Sequence, residues 1–457
     1  VQIAIGIWAG RFIKGESDYL LAGRSLGVGL AAISLCATWF GAETVMGSSA
    51  AIAREGLAGG RADPFGYSLC LLLMAMLLAY RMRAANYVTL ADFFRDRFGT
   101  RVERLAILVF APTSLLWTAA QLMAFSKIME VVAGIPHETA LLYALVFIVL
   151  YTIIGGMKAD VIHDFLQGGV VVIGLGLLTF ALFERAGGIA EAWERITPAQ
   201  LQWVGEGESW LTRLNNWAIP ILGSLVAQEA ISRLLATQNA RIARRACYLA
   251  AGLYLLIGLM PVCAGLLGGH LIPDALANTQ ETEDYFIITL AQELLSPLTF
   301  VLFTGALVAA ILSTIDSTLL SLAAVAEHNV MSPLFPKLSE RQKVKLARLC
   351  VAVFALLAYL IARSGDTIYD MLQLASSFGS AGIVVTVLIG LNLRFGGSFT
   401  AFLTLITGII GAIIGELAEA EAAFLFTLAA CLVCYLIGGL YEKSRKPALP
   451  IPAQGTR

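Results

Sequence analysis

The sequence predicts an all-α polytopic membrane protein, and three observations carry that reading. Of the 457 residues, 58% are hydrophobic and only 14% charged, against about 25% charged in soluble domains. Apolar runs near the ~20 residues that a bilayer requires recur along the whole chain. Lysine and arginine gather in alternate connections, as they do on the cytoplasmic side of membrane proteins. Backbone polar groups in lipid must be satisfied within each span, which leaves helices as the architecture for such runs.

Twelve complete spans are expected, near 27–52, 62–82, 105–134, 138–157, 161–184, 214–235, 246–269, 285–326, 344–363, 367–390, 398–415 and 420–440. Residues 1–13 read as the truncated end of another, since the chain begins at Val1, which makes about 13. Connections at 11–26, 81–104, 158, 233–245, 337–348, 394 and 443–457 hold 24 of the 31 Lys and Arg; six lie in the opposite connections and Lys127 lies within a span. That asymmetry places the C-terminus in the cytoplasm of a protein of the plasma (inner) membrane. The expected organisation is a first span and cytoplasmic lead-in (1–26), five spans (27–185), an external loop (186–213), five more spans (214–395), two C-terminal helices (396–441) and a disordered cytoplasmic tail (442–457). Trp193, Trp203 and Trp210 belong to the external loop and suit the headgroup layer. The external connection 270–284 is acidic.

Several function classes are argued against. Net charge is −1, which argues neither for nor against a nucleic-acid or membrane-surface partner, and no nucleic-acid partner is expected. No Walker loop, HExxH or nucleophile elbow occurs, so neither an ATP-driven pump nor an enzyme is expected, and no organic cofactor is implied. Seven cysteines fall in spans or at their edges, and Cys431 and Cys434 form a CxxC by letter only, in mid-helix. The four histidines have no metal-ligand spacing.

Two spans read as interrupted. The first complete one, GVGLAAISLCATWFGAETVMGSSAAIA, has small residues around Gly41 and a charge at Glu43. The sixth, NNWAIPILGSLVAQEAISRLL, has Pro220 and Gly223, then Gln228 and Glu229. They stand five spans apart, and paired interruptions of this kind mark inverted-repeat transporters with a site at the bilayer midplane. The expected fold is therefore an inverted five-plus-five repeat with flanking helices.

The segment LSTIDSTLLS (312–321) places five hydroxyls and Asp316 in an apolar helix, where a central carboxylate costs roughly 2.5–3.5 kcal/mol on insertion scales. Ser313, Ser317 and Ser321 share one face at four-residue spacing. Hydroxyls at Ser313 and Thr314, with carbonyls near Ala37 and Phe40, offer the several oxygens that a hard cation such as sodium takes. Asp164 is a second carboxylate, expected with Ser317 and Asp316 to form a second ion site or a coupling site; His163 is read as a rim residue. Trp39, Tyr67 and Trp117 supply rings for a cationic head, by cation–π attraction of roughly 2 kcal/mol or more when desolvated. Glu43 and Glu229 offer a gate, a proton site or a counter-charge.

These residues resemble the sodium:solute symporters. The resemblance begins at SDYLLAGRSLG (17–27), continues through YTIIGGMKADVIHDFLQ (151–167) and ends in AAILSTIDSTLLS (309–321). Within that family, CATWFG (36–41), DPFGYSL (63–69), YVTLADFF (87–94) and LWTAAQ (116–121) are similar to the high-affinity choline transporter branch. The resemblance implies an amino-acid-transporter-type core and a sodium site from Ala37, Phe40 and Ala310 carbonyls with the Ser313 and Thr314 hydroxyls. It also places Asp164 at a functionally important position. A substrate site of Trp39, Tyr67 and Trp117 is implied, joined here by Glu43, Gln228 and Glu229. The fourth aromatic of the choline cage is replaced by Ala227, which widens the expected solutes to cationic or zwitterionic amines and larger polar solutes. The expected function is sodium-coupled symport of a small organic solute across a lipid bilayer. Proton coupling, a transporter-like membrane sensor and a passive channel are the alternatives. Monomer and homodimer are equally compatible with the sequence.

Overall fold

The computed structural model describes residues 2–275, 285–364, 378–393 and 395–445. Among the described residues the regular elements are helices, joined by one isolated bridge between Leu26 and Thr237. In chain order the helices used below are α1 (Gln2–Gly10), α2 (Val28–Trp39), α3 (Glu43–Ala58), α4 (Tyr67–Leu77), α5 (Leu90–Phe98), α6 (Thr100–Ala133), α7 (His137–Ala186), α8 (Trp210–Ala218), α9 (Gln228–Leu235), α10 (Ala240–Leu271), α11 (Phe286–Leu294), α12 (Pro297–Ala324), α13 (Glu340–Ser364), α14 (Ser380–Asn392), α15 (Ser398–Leu417) and α16 (Ala423–Arg445).

Among the described residues, eight helices are long and apolar enough to cross a membrane, or nine if the bent α2–α3 pair is one span. The protein is thus a multi-pass membrane protein, with fewer qualifying helices than the 13 expected. The shortfall has physical causes. α7 has 50 residues and runs about 75 Å at 1.5 Å per residue, far more than the ~30 Å hydrocarbon core. Gly156, at φ 57 and ψ −165, breaks it between the expected spans 138–157 and 161–184. A Cβ at Gly156 would meet the Tyr19 carbonyl oxygen at 2.6 Å. α4 has only 11 residues because the π-helical Arg61–Gly66 segment, with Pro64 inside it, precedes it. α14 has 13, and residues 367–377 of that expected span lie outside the described residues, as do 276–284 of the acidic loop. The expected single span 285–326 is two helices: α11 ends at Leu294, and the Ser296 hydroxyl caps α12 by accepting the Thr299 N–H.

Both expected interruptions occur. α2 stops at Trp39, Phe40 leaves helical geometry (φ −76, ψ 70), and α3 departs at 65°. The Gln121 side-chain oxygen in α6 accepts the Ala42 N–H at 3.0 Å, a partner the broken helix cannot supply. α8 passes into a π-helical turn, Ile219–Gly223, that contains Pro220, and helical geometry lapses over 224–227 before α9. Proline lacks the N–H and clashes with the preceding turn.

α12 lies centrally, packed on α6, α7 and α13, while α10 packs on α2, α3 and α4. Large apolar side chains such as Leu108, Ile173, Phe180 and Leu256 face outward, whereas Asp63, Asp160, Asp164 and Asp316 are buried. That inversion suits a lipid surround. The short helix Ile189–Arg195 forms in the connection expected to be external, with Trp193 and Trp210 exposed. α16 runs to Arg445, past the expected boundary at 441, because Glu442 accepts from the Gly397 and Phe399 amides and the Thr400 hydroxyl; residues 446–457 of the expected tail lie outside the described residues.

A charged cluster joins the lead-in to the ends of α5 and α12. Glu16 pairs with His328 and with Lys343, the latter at 2.7 Å. His328 also lies 3.2 Å from Asp92, and Asn329 donates to Asp92 and Glu103 at 2.9 and 2.8 Å. Burial alone would raise the Asp92 carboxyl, but His328, the Val88 amide and Arg95 outweigh it and bring it down to about 2.

Candidate functional site

The hydroxyls of LSTIDSTLLS divide into two groups. Thr314, Thr318 and Ser321 donate back to carbonyls of their own helix, those of Ala310, Thr314 and Thr318 in turn. Ser313 and Ser317, one turn apart, instead reach across to α7. The Ser313 hydroxyl donates to Asp164, and the other Asp164 oxygen accepts from Ser34 in α2. Ser317 lies 3.3 Å from Asp160, and Arg233 of α9 bonds both Asp160 and Ser317. The Arg233 guanidinium stands 3.9 Å from Asp164. Asp164 is fully buried, and so is Arg233, although its position in the connection 233–245 groups it with the cytoplasmic charges. His163 is also buried, at 2% exposure, and is not a rim residue. Its Nδ1 lies 3.5 Å from Asp316, and its Nε2 lies 3.1 Å from the Gln2 carbonyl oxygen. Ser317 and Asp164 thus share Arg233 as a neighbour, while Asp316 faces His163.

The five residues expected to hold sodium are brought together. Ala37, Phe40, Ala310 and Ser313 line one apolar groove of about 540 Å³ between α2, α7, α10 and α12. Thr314 borders the α2–α3 break, since a Cβ on Gly41 would meet its hydroxyl at 2.8 Å and the Gln121 oxygen at 2.7 Å.

A second, smaller cavity of about 60 Å³ is lined by Trp39, Ser114, Trp117, Ser224, Glu229 and other residues of α6, α9 and α14. The Trp39 indole N–H donates to Glu229 at 3.3 Å, while among the described residues the other Glu229 oxygen and the Trp117 indole N–H have no hydrogen-bond partner. Tyr67 stacks behind these rings, with centroids 5.5 Å from Trp39 and 6.4 Å from Trp117, and its hydroxyl donates to Glu43 at 3.2 Å. Tyr67 is not among the residues lining the cavity. Gln228 lines it, but its side-chain oxygen accepts the Leu90 N–H at 2.9 Å and its amide nitrogen donates to the Ser232 hydroxyl at 3.0 Å.

Ser34, Asp160 and Arg233 were missed by sequence reasoning. Asp160 precedes Asp164 by four residues, which puts both on one helix face, and that spacing was available as a signal.

With this geometry in place, the sodium:solute symporter family profile matches residues 19–408. The chain belongs to the sodium:solute symporter family. This symporter-family chain is 28% identical over 398 residues to the High-affinity choline transporter 1 of Drosophila melanogaster, covering 82% of this chain and 62% of that relative. It therefore spans less than two thirds of the fly protein's length. It is also 28% identical over 397 residues to the osmoregulated proline transporter OpuE of Bacillus subtilis, covering 83% of this chain and 79% of the relative. These relatives are transporters, not enzymes. Among solved structures, a Na+-coupled sialic acid symporter in a substrate-bound outward-open state superposes with a TM-score of 0.85 at 17% identity, covering 98% of this chain and 96% of that one. That likeness establishes the fold.

Proposed function

We propose that this protein is a sodium-coupled secondary active symporter that moves a small organic solute by alternating access. The observation that carries the reading is Asp164, a buried carboxylate held by hydroxyls from α2 and α12, with Ser313 also bordering the groove where Ala37, Phe40 and Ala310 meet. Unwound carbonyls beside polar helices are where transporters of this architecture coordinate their ions. In this reading the Ala37, Phe40 and Ala310 carbonyls and the Ser313 and Thr314 hydroxyls hold sodium, and Asp164 supplies the nearby negative charge. Sodium bridging α2 and α12 stabilises the outward-open state and completes the solute site beside Trp39.

Trp39, Trp117 and Glu229 receive a cationic or zwitterionic amine such as choline, with Tyr67 and Glu43 behind them and Gln228 framing the wall. The family and its choline- and proline-transporting relatives support this solute class. The matched positions of the two helix breaks support an inverted repeat of 27–185 against 214–395 among 13 spans, with the C-terminus in the cytoplasm. The energetics suffice: about 2.3 kcal/mol per charge at 100 mV, plus about 1.4 kcal/mol for a tenfold sodium gradient, accumulates a neutral solute roughly 500-fold.

The test uses proteoliposomes with an inward sodium gradient and labelled choline outside. Accumulation is expected to vanish when potassium replaces sodium, and in the Ser313→Ala/Thr314→Ala variant. If choline is not taken up, sodium must still raise the thermal stability of the parent and not of the variant; failure there overturns the sodium site. The His163–Asp316 pair at 3.5 Å favours proton coupling as a second reading, which sodium-independent uptake driven by a pH gradient would establish.

A further inference from the structure

Asp63 is among the lining residues of neither the groove nor the solute cavity. It is 1% exposed. One carboxylate oxygen accepts the Thr44 hydroxyl at 2.5 Å and the Tyr254 hydroxyl at 3.0 Å. Those two hydroxyls are 2.8 Å apart, and both approach the Trp39 carbonyl oxygen, at 3.2 and 3.4 Å. A carboxylate, two hydroxyls and a main-chain carbonyl at a helix break thus meet at one point. The other Asp63 oxygen is buried and, among the described residues, has no hydrogen-bond partner. Among the described residues, no Lys, Arg or His pairs with Asp63 or with its acidic neighbour Glu43. A buried carboxylate without a counter-charge is strongly unfavourable in a low-dielectric interior, and intramembrane carboxylates usually mark an ion pathway.

We infer that Trp39 O, Thr44 Oγ1, Asp63 and Tyr254 Oη form a second sodium site, separate from the one at Ser313 and Thr314. Every ligand is an oxygen, as a hard cation requires, and one of them is the Trp39 carbonyl at the helix break, which also accepts the Gly41 N–H at 2.8 Å and offers the ion its other lone pair. The cation supplies the charge that Asp63 lacks. Binding rotates the two hydroxyl hydrogens outward and parts the oxygens, now 2.5 to 3.0 Å from one another, to admit the ion among them. Trp39 and Phe40 are consecutive, so adjacent carbonyls of one helix break serve the two ions. The Phe40 ring packs edge-on against Tyr254 at 5.5 Å and holds that ligand's ring in place.

The inference rests on the proposed sodium coupling, and equilibrium binding of radioactive sodium to the purified full chain separates the two. The parent is expected to bind two ions. Asp63→Asn is expected to lose one, the Ser313→Ala/Thr314→Ala variant the other. Tyr254→Phe keeps the ring and removes one ligand, and is expected to weaken one of the two ions about tenfold, which keeps the test decisive if Asp63→Asn does not fold. One bound ion, insensitive to both the Asp63 and Tyr254 substitutions but lost with Ser313 and Thr314, overturns this site and leaves sodium coupling standing. No sodium bound by the parent overturns both.

Discussion

Ser313 and Ser321 have the same side chain on the same helix, yet of the two only Ser313 reaches a carboxylate. Ser313→Ala removes a hydroxyl donated to a buried charged group, which costs about 1.5–3 kcal/mol. A lowered unfolding temperature, with loss of the sodium-dependent shift, is the expected result in a thermal-shift assay. Gly41→Ala is expected to lose sodium-dependent uptake as well, because its Cβ would push into the Gln121 and Thr314 oxygens. The sequence singled out Ser313, Thr314 and Asp164 as candidate ion residues, and of the two hydroxyls Ser313 donates to Asp164 while Thr314 bonds back to Ala310. It did not show Arg233, because a charge at the end of an apolar run reads as a loop residue until tertiary packing buries it. Asp63 was hidden in the same way, standing before a proline at the edge of a span.

At the scale of elements, the breaks were legible and the lengths were not. Pro220 and the small residues around Gly41 mark two interruptions by local chemistry alone. The close joining of the two parts of α7 at the Gly156 break, and the start of α12 at Pro297, depend on how neighbours pack. Gly156→Ala places a side chain at positive φ against the Tyr19 carbonyl and is expected to cost at least about 1–2 kcal/mol, read as a drop in unfolding temperature. The Asp92 strut gives a pH prediction. Its carboxyl is about 2 in the folded protein against about 3.9 unfolded, so its contribution is fully present above about pH 4 and lost as pH falls through about 2. Asp92→Asn is therefore expected to destabilise the protein at about pH 7, with the gap to the parent narrowing between about pH 4 and pH 2.

At the scale of the whole molecule, the alternation of Lys and Arg carries an orientation. A tag fused after Arg457 is expected to react with an impermeant reagent in inside-out vesicles and not in right-side-out ones. The opposite pattern would invert the proposed topology and the direction of the gradient with it.

Most of the proposed ion ligands at the α2–α3 break are main-chain carbonyls: Ala37, Phe40 and, for the second ion, Trp39. Alanine scanning cannot delete a carbonyl, so a mutational map of this protein would under-report the chemistry at its centre. Replacing the backbone amide with an ester weakens that oxygen while leaving every side chain in place, and it is the substitution that reaches these positions.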